Sequence, residues 1–158
     1  MQSLGVLRVL GVLLVMFSTT LLPPILIALI GKDGGLQPFL IAYVTTLLVG
    51  GALWFPLRHQ RRELRVRDGF LIVVLFWTVL ALFGAFPLLL SADLEISITD
   101  ALFESMSGLT TTGATVLTGL DALPASILYY RQQLQWLGGM GIIVLAVAVM
   151  PMLGVGGM

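Results

Sequence analysis

Hydrophobic and polar positions alternate in long blocks along this chain. Residues 4–30 are apolar apart from Arg8, Ser18 to Thr20 and the pair Pro23-Pro24, and residues 38–57, 69–90 and 134–153 repeat the pattern. An α-helix needs about 20 apolar residues to cross the hydrocarbon core, so each block predicts a spanning helix. The two prolines should kink or unwind the first block, with Ser18 to Thr20 placed to satisfy carbonyls freed there. A cleaved signal peptide is the alternative for this block, since Arg8 precedes its apolar core; against it, the core is too long and no small-residue cleavage site follows. In the last block Gly138, Gly139 and Gly141 permit close approach of another backbone, or a hinge, and packing is the expected use. Pro151 and the glycines from Gly154 to Gly157 break that block at its inner end.

Residues 97–119 lie between the third and fourth blocks, too short and too polar to cross a bilayer. Ser97 and Asp100 fit a capping pair, Ala101, Leu102, Phe103 and Met106 continue a helix, and Gly108 offers a stop. From Thr110 to Thr115 the β-branched threonines and Gly113 favour extended backbone. Non-helical backbone at membrane depth is tolerated where it is buried in protein or lines a water-filled cavity. A half-depth helix followed by an extended Thr/Gly strand is the arrangement of a cation filter. Main-chain carbonyls there replace the ion's water, and the helix turns its negative end toward the site. Gly113 lets the peptide planes turn without a Cβ clash. Four extended residues reach roughly 13 Å, enough for a few stacked ion sites. A Thr/Gly-rich external loop is the competing reading of the same letters.

Composition narrows the class. Of 158 residues, 58% are hydrophobic and 10% charged, with mean hydropathy +1.07; a soluble domain carries about 25% charged residues, so this is a membrane protein. Zero cysteines exclude disulfides and thiolate chemistry, and the single histidine, His59, leaves no histidine metal cluster or Ser-His triad. Residues 58–68 hold five of the eight basic residues, which places that loop, and with it the N-terminus, in the cytoplasm. The loop is then a topology signal, or a dock for a cytosolic partner or anionic lipid. Residues 31–37 and 91–96 fall outside, and residues 121–131 cross the outer surface, where Pro124, Tyr129 and Tyr130 suit an interface. Trp54, Trp77 and Trp136 lie in or at the ends of the spans. The expected fold is an all-α membrane protein. A helix pair over residues 1–57 precedes one unit over residues 69–158 of helix, re-entrant pore helix, filter and helix.

Two motifs carry a resemblance. Phe103-Glu104-Ser105-Met106-Ser107-Gly108-Leu109-Thr110-Thr111-Thr112-Gly113-Ala114-Thr115 resembles the first filter of the membrane subunit of bacterial Trk potassium-uptake systems. Arg131-Gln132-Gln133-Leu134-Gln135-Trp136-Leu137-Gly138-Gly139-Met140-Gly141 resembles the start of the helix that follows it. The likeness extends over the whole chain and implies four such units around a pseudo-fourfold pore after an extra helix pair. It further implies potassium transport across a bacterial inner membrane, a homodimer of the full-length subunit, and a cytosolic nucleotide-binding regulatory subunit. By position, K⁺ would meet the carbonyls of Thr111 and Thr112 first, then those of Thr110, Gly113 and Ala114. No covalently bound cofactor is implied, K⁺ being the transported ion. Only the glycine of the potassium-channel Thr-Val-Gly-Tyr-Gly sequence is kept, so selectivity should be less strict.

The family chain has four repeats and this sequence reaches one. It is read as an N-terminal fragment, with a ring of four copies as the alternative, since a cation needs carbonyls on all sides. A truncated, non-conducting fragment shares every residue with the transport reading. Catalysis by Ser105 or Ser107 is the remote alternative, without an in-membrane histidine or lysine to activate a serine. Glu104 either supports the filter from the pore helix or faces the outer vestibule and concentrates cations.

Overall fold

The computed structural model describes residues 3–58 and 66–149. Among them the chain is helical: α1 (Ser3–Thr20), α2 (Leu22–Gly31), α3 (Leu36–Leu57), α4 (Val66–Leu90), α5 (Ile98–Leu109) and α6 (Ala125–Val149), with single 3-10 turns at Ala92–Leu94 and Leu120–Ala122. Three stretches, Leu4–Gly31, Leu36–Leu57 and Gly69–Leu90, are long and apolar enough to cross a membrane. Of the loop expected at 58–68, residues 59–65 lie outside the described residues, as does the glycine-rich end at 150–158, while residues 66–68 already belong to α4.

The first block divides just before its prolines. The N–H of Leu21 turns to Ser18 O (3.0 Å), tightening the last turn of α1, and α2 begins with Pro23 and Pro24 in its first turn, where missing N–H groups cost least. Pro24 has no N–H to offer Thr20, and the freed Thr20 carbonyl accepts from Gln133 Nε2 of α6 at 2.7 Å. Ser18, Thr19 and Thr20 instead donate their hydroxyls back to Val15, Met16 and Phe17. They satisfy the turn before the break rather than the carbonyls the prolines free.

α1 lies along α3 at backbone distance. A Cβ on Gly11 would come within 2.7 Å of Trp54 N, and one on Gly50 within 2.9 Å of Leu14 Cβ. On the other side, α4, α5 and α6 close over a core of Leu80, Leu88, Ala101, Leu109, Ile127 and Leu134. Phe39 and Tyr130 meet edge to face at 5.2 Å, and the buried Tyr130 hydroxyl donates to Gly84 O of α4 at 2.8 Å.

The last helix starts earlier than the apolar pattern indicates. It begins at Ala125 rather than near Leu134, so Tyr129, Tyr130 and Arg131 are helical and not part of a surface crossing. Pro124 O receives the first N–H groups, from Ile127 (3.0 Å) and Leu128 (3.1 Å). Asp33, far away in sequence, accepts the otherwise orphaned N–H of Ser126 at 2.9 Å, capping α6 from another loop.

Candidate functional site

α5 has 12 residues, about 18 Å of helix, or some half of a hydrocarbon core. Its start is local chemistry. Ser97 Oγ accepts from Asp100 N (3.1 Å) and Asp100 Oδ2 accepts from Ser97 N (3.3 Å), closing the capping box expected from the sequence. Its end is not at Gly108. That glycine stays helical because the helix crosses Leu134 there, whose Cβ lies 3.0 Å from where a Cβ on Gly108 would sit. One residue further on, a Cβ at Gly138 would overlap the Leu109 carbonyl, so the carboxyl end of α5 seats in a notch on α6. Of the three α6 glycines, Gly138 is the one used for close approach; ordinary contact distances surround Gly139 and Gly141.

The helix closes on a Schellman turn built from threonines. Thr110 is the cap (φ −82°, ψ 2°) and Thr111 takes the left-handed position at φ +58°, which glycine or asparagine usually fills. Thr111 N donates to Gly108 O (2.9 Å), and Thr112 N and Gly113 N both donate to Ser107 O (3.0 and 3.3 Å). Residues 110–113 are therefore wound against the helix end rather than extended, which shortens the reach expected from four extended residues. The φ values alternate in sign, with Thr112 negative between Thr111 and Gly113 at +73°.

Peptide geometry then fixes where the oxygens go. All described peptide bonds are trans, and in a trans peptide each carbonyl points opposite to the N–H that follows it. The N–H groups of Thr111, Thr112 and Gly113 face the α5 terminus, so the carbonyls of Thr110, Thr111 and Thr112 point away from it, into open space. Residues 110–114 are all exposed in this chain. The Ala114 carbonyl differs: it accepts from Ser107 Oγ at 2.6 Å, pinning the segment back to the helix. The electronegative end of α5 lies behind this row of oxygens.

Glu104 sits beneath the chain that leaves this turn, with its side chain 2% exposed. One carboxylate oxygen, Oε1, accepts from Thr115 Oγ1 and Val116 N, both at 2.6 Å. The other, Oε2, accepts from Arg131 Nε (3.2 Å) and Nη2 (3.1 Å). The acid is thus paired, hydrogen-bonded and turned inward. Ser105 is buried with its Oγ unpartnered, and Ser107 is spent on Ala114; neither has a base at hand. Among the described residues no cluster of acids, histidines or cysteines could hold a metal through side chains.

The sequence places the filter candidates and Glu104 together but gives Arg131 no part there, only the end of a surface crossing and the first letter of a motif. The missed signal was available. Between 101 and 158 the charged residues are Glu104, Asp121 and Arg131, and an acid and a base in apolar surroundings usually find each other.

Comparison with known proteins bears on the whole assembly. The family model described as TrkH, cation transport protein, matches residues 35–158. The Trk system potassium uptake protein TrkH of Halomonas elongata is 63% identical over 97% of this chain and 32% of its own length. The protein of the same name from Escherichia coli is 56% identical over 100% of this chain and 33% of its own. The crystal structure of the potassium transporter TrkH from Vibrio parahaemolyticus superposes with a TM-score of 0.93 at 57% identity, covering 100% of this chain and 34% of that one. The chain spans about a third of the length of the curated relatives it matches.

Proposed function

The chain belongs to the TrkH family of cation transport proteins, and from that premise we propose that it supplies one share of a potassium-conducting pore, with residues 110–114 as its filter segment. The observation that carries this reading is the row of carbonyls at Thr110, Thr111 and Thr112. Their peptide N–H groups are consumed by the helix end, so the oxygens stand free for a cation that has shed its water. Thr111 and Thr112 contribute first, Thr110 and Gly113 beside them. Ala114 anchors the strand through Ser107 and keeps one lone pair for the ion. K⁺ is cargo here, held by main-chain oxygens and released, not a resident cofactor.

The exposure of 110–114 suits a segment whose remaining walls come from further repeats of the same kind. The division into a helix pair (1–57) and a pore unit (69–158) follows from that reading. The chain is read as multi-pass in the bacterial inner membrane. Its N-terminus is cytoplasmic by the basic loop after α3. A homodimer of the full-length subunit and a cytosolic nucleotide-binding regulatory subunit follow from the resemblance to Trk systems. Glu104 is the support of the filter from the pore helix, since its oxygens face Val116 and Arg131 rather than the vestibule.

The test is ⁸⁶Rb⁺ uptake by a full-length transporter carrying this segment. Gly113→Asp places a charged side chain on a left-handed residue within the carbonyl row and should abolish uptake. Unaltered uptake by the inserted variant would contradict the filter assignment.

A further inference from the structure

Arg131 has no place in the filter itself, yet it holds the acid on which the filter's exit hangs. We propose that Arg131 is a positioning residue for ion selection, acting through Glu104 to fix the spacing of the carbonyls at 110–113. The inference rests on the reading of 110–114 as a filter and names the group through which that site distinguishes K⁺ from Na⁺.

The division of labour on Glu104 is the ground for it. Oε1 holds the chain at Thr115 and Val116, directly after the carbonyl row, and Oε2 is held by two N–H groups of one guanidinium. The row's other end is fixed by the Ser107 and Gly108 carbonyls. Both ends therefore refer to α6: Leu109 seats against Gly138, and Glu104 is paired to Arg131 about two turns earlier on much the same face.

Removing the guanidinium would leave a buried carboxylate uncompensated, which is strongly unfavourable, so Glu104 would turn toward water or a stray cation. Each of these loosens its grip on Val116. A carbonyl row free to close inward accommodates the smaller Na⁺ better, so lost positioning reads out as lost discrimination. Lysine cannot place two N–H groups on one oxygen from a planar fork, so it should substitute only in part.

The experiment is paired ⁸⁶Rb⁺ and ²²Na⁺ uptake in proteoliposomes by a full-length transporter carrying this segment. Arg131→Gln should lower the Rb⁺/Na⁺ uptake ratio about tenfold, as loss of a group that orients an ion's ligands commonly does, and raise KM for Rb⁺. Arg131→Lys should recover part of the ratio. If Arg131→Gln does not insert, the double variant Glu104→Gln with Arg131→Gln carries no buried charge and gives the same readout. An unchanged ratio in either inserted variant overturns the proposal. Gly113→Asp, run alongside, separates the two readings. Uptake lost there with an unchanged ratio in the Arg131 variants faults this inference alone; uptake retained there faults the filter itself.

Discussion

Thr111 is a β-branched residue at φ +58°, where the Cβ crowds the following carbonyl at a cost of about 1–2 kcal/mol. The Schellman turn imposes that geometry: Thr111 N must reach Gly108 O while Thr112 N reaches Ser107 O. The turn is also what aims the carbonyls outward, so the strain is the local cost of the site's shape. Thr111→Gly should therefore raise the thermal stability of the inserted segment by up to about 1 kcal/mol, the left-handed penalty less the added freedom of the unfolded chain. A detergent melting curve checks it, and a lowered midpoint would show that the threonine side chain, not the backbone, holds the turn. None of this was legible in the letters. Three threonines in a row signal extended chain by propensity, and it takes the end of a packed helix to wind them into a cap.

At the scale of elements, what the sequence showed and what it hid divide by distance along the chain. The start of α5 was readable because Ser97 and Asp100 are three residues apart. The start of α6 was not, because its polar face reads as a loop until its partners are known. Gln133 binds Thr20 across 113 positions and Arg131 binds Glu104 across 27. The end of α5 was hidden for the same reason: Gly108 is small to let Leu134 in, not to stop the helix. The seat of Leu109 on Gly138 gives this scale its prediction. Gly138→Ala forces backbone apart rather than a flexible side chain, so it should cost roughly 1–3 kcal/mol and shift α5 with the strand behind it. Melting midpoint and ⁸⁶Rb⁺ uptake should fall together. A variant as stable and as active as the parent would mean that the two helices have room to spare.

Across the whole molecule, among the described residues, polar contacts tie α6 to the first helices and the loop after them through Gln133 to Thr20 and through Asp33 to the head of α6. Burial of Asp33 pushes its carboxyl up, but the N–H groups of Ser126 and Gly35 outweigh it and hold the pKa below its ordinary value. A carboxyl depressed on folding adds stability above its unfolded pKa, about 3.9, and loses it as pH falls through the lower folded value. The melting midpoint should thus drop on acidification below about pH 4, and Asp33→Asn should flatten that drop while costing about 1 kcal/mol at neutral pH, the usual worth of a helix cap. An unchanged acid limb in Asp33→Asn would assign the transition to other groups. Fold class and the three spans over Leu4–Gly31, Leu36–Leu57 and Gly69–Leu90 were visible in hydropathy alone; these joints were not, since single polar residues announce no partner.

The central claim is that the outward carbonyls of Thr110 to Thr112, with Gly113, take the place of water around a monovalent cation. Anomalous diffraction from a full-length transporter carrying this segment, crystallised in Rb⁺, tests it most directly. The account predicts Rb⁺ density in direct contact with the carbonyl oxygens of Thr111 and Thr112. Density elsewhere in the pore, with those oxygens bound only to water, would contradict it.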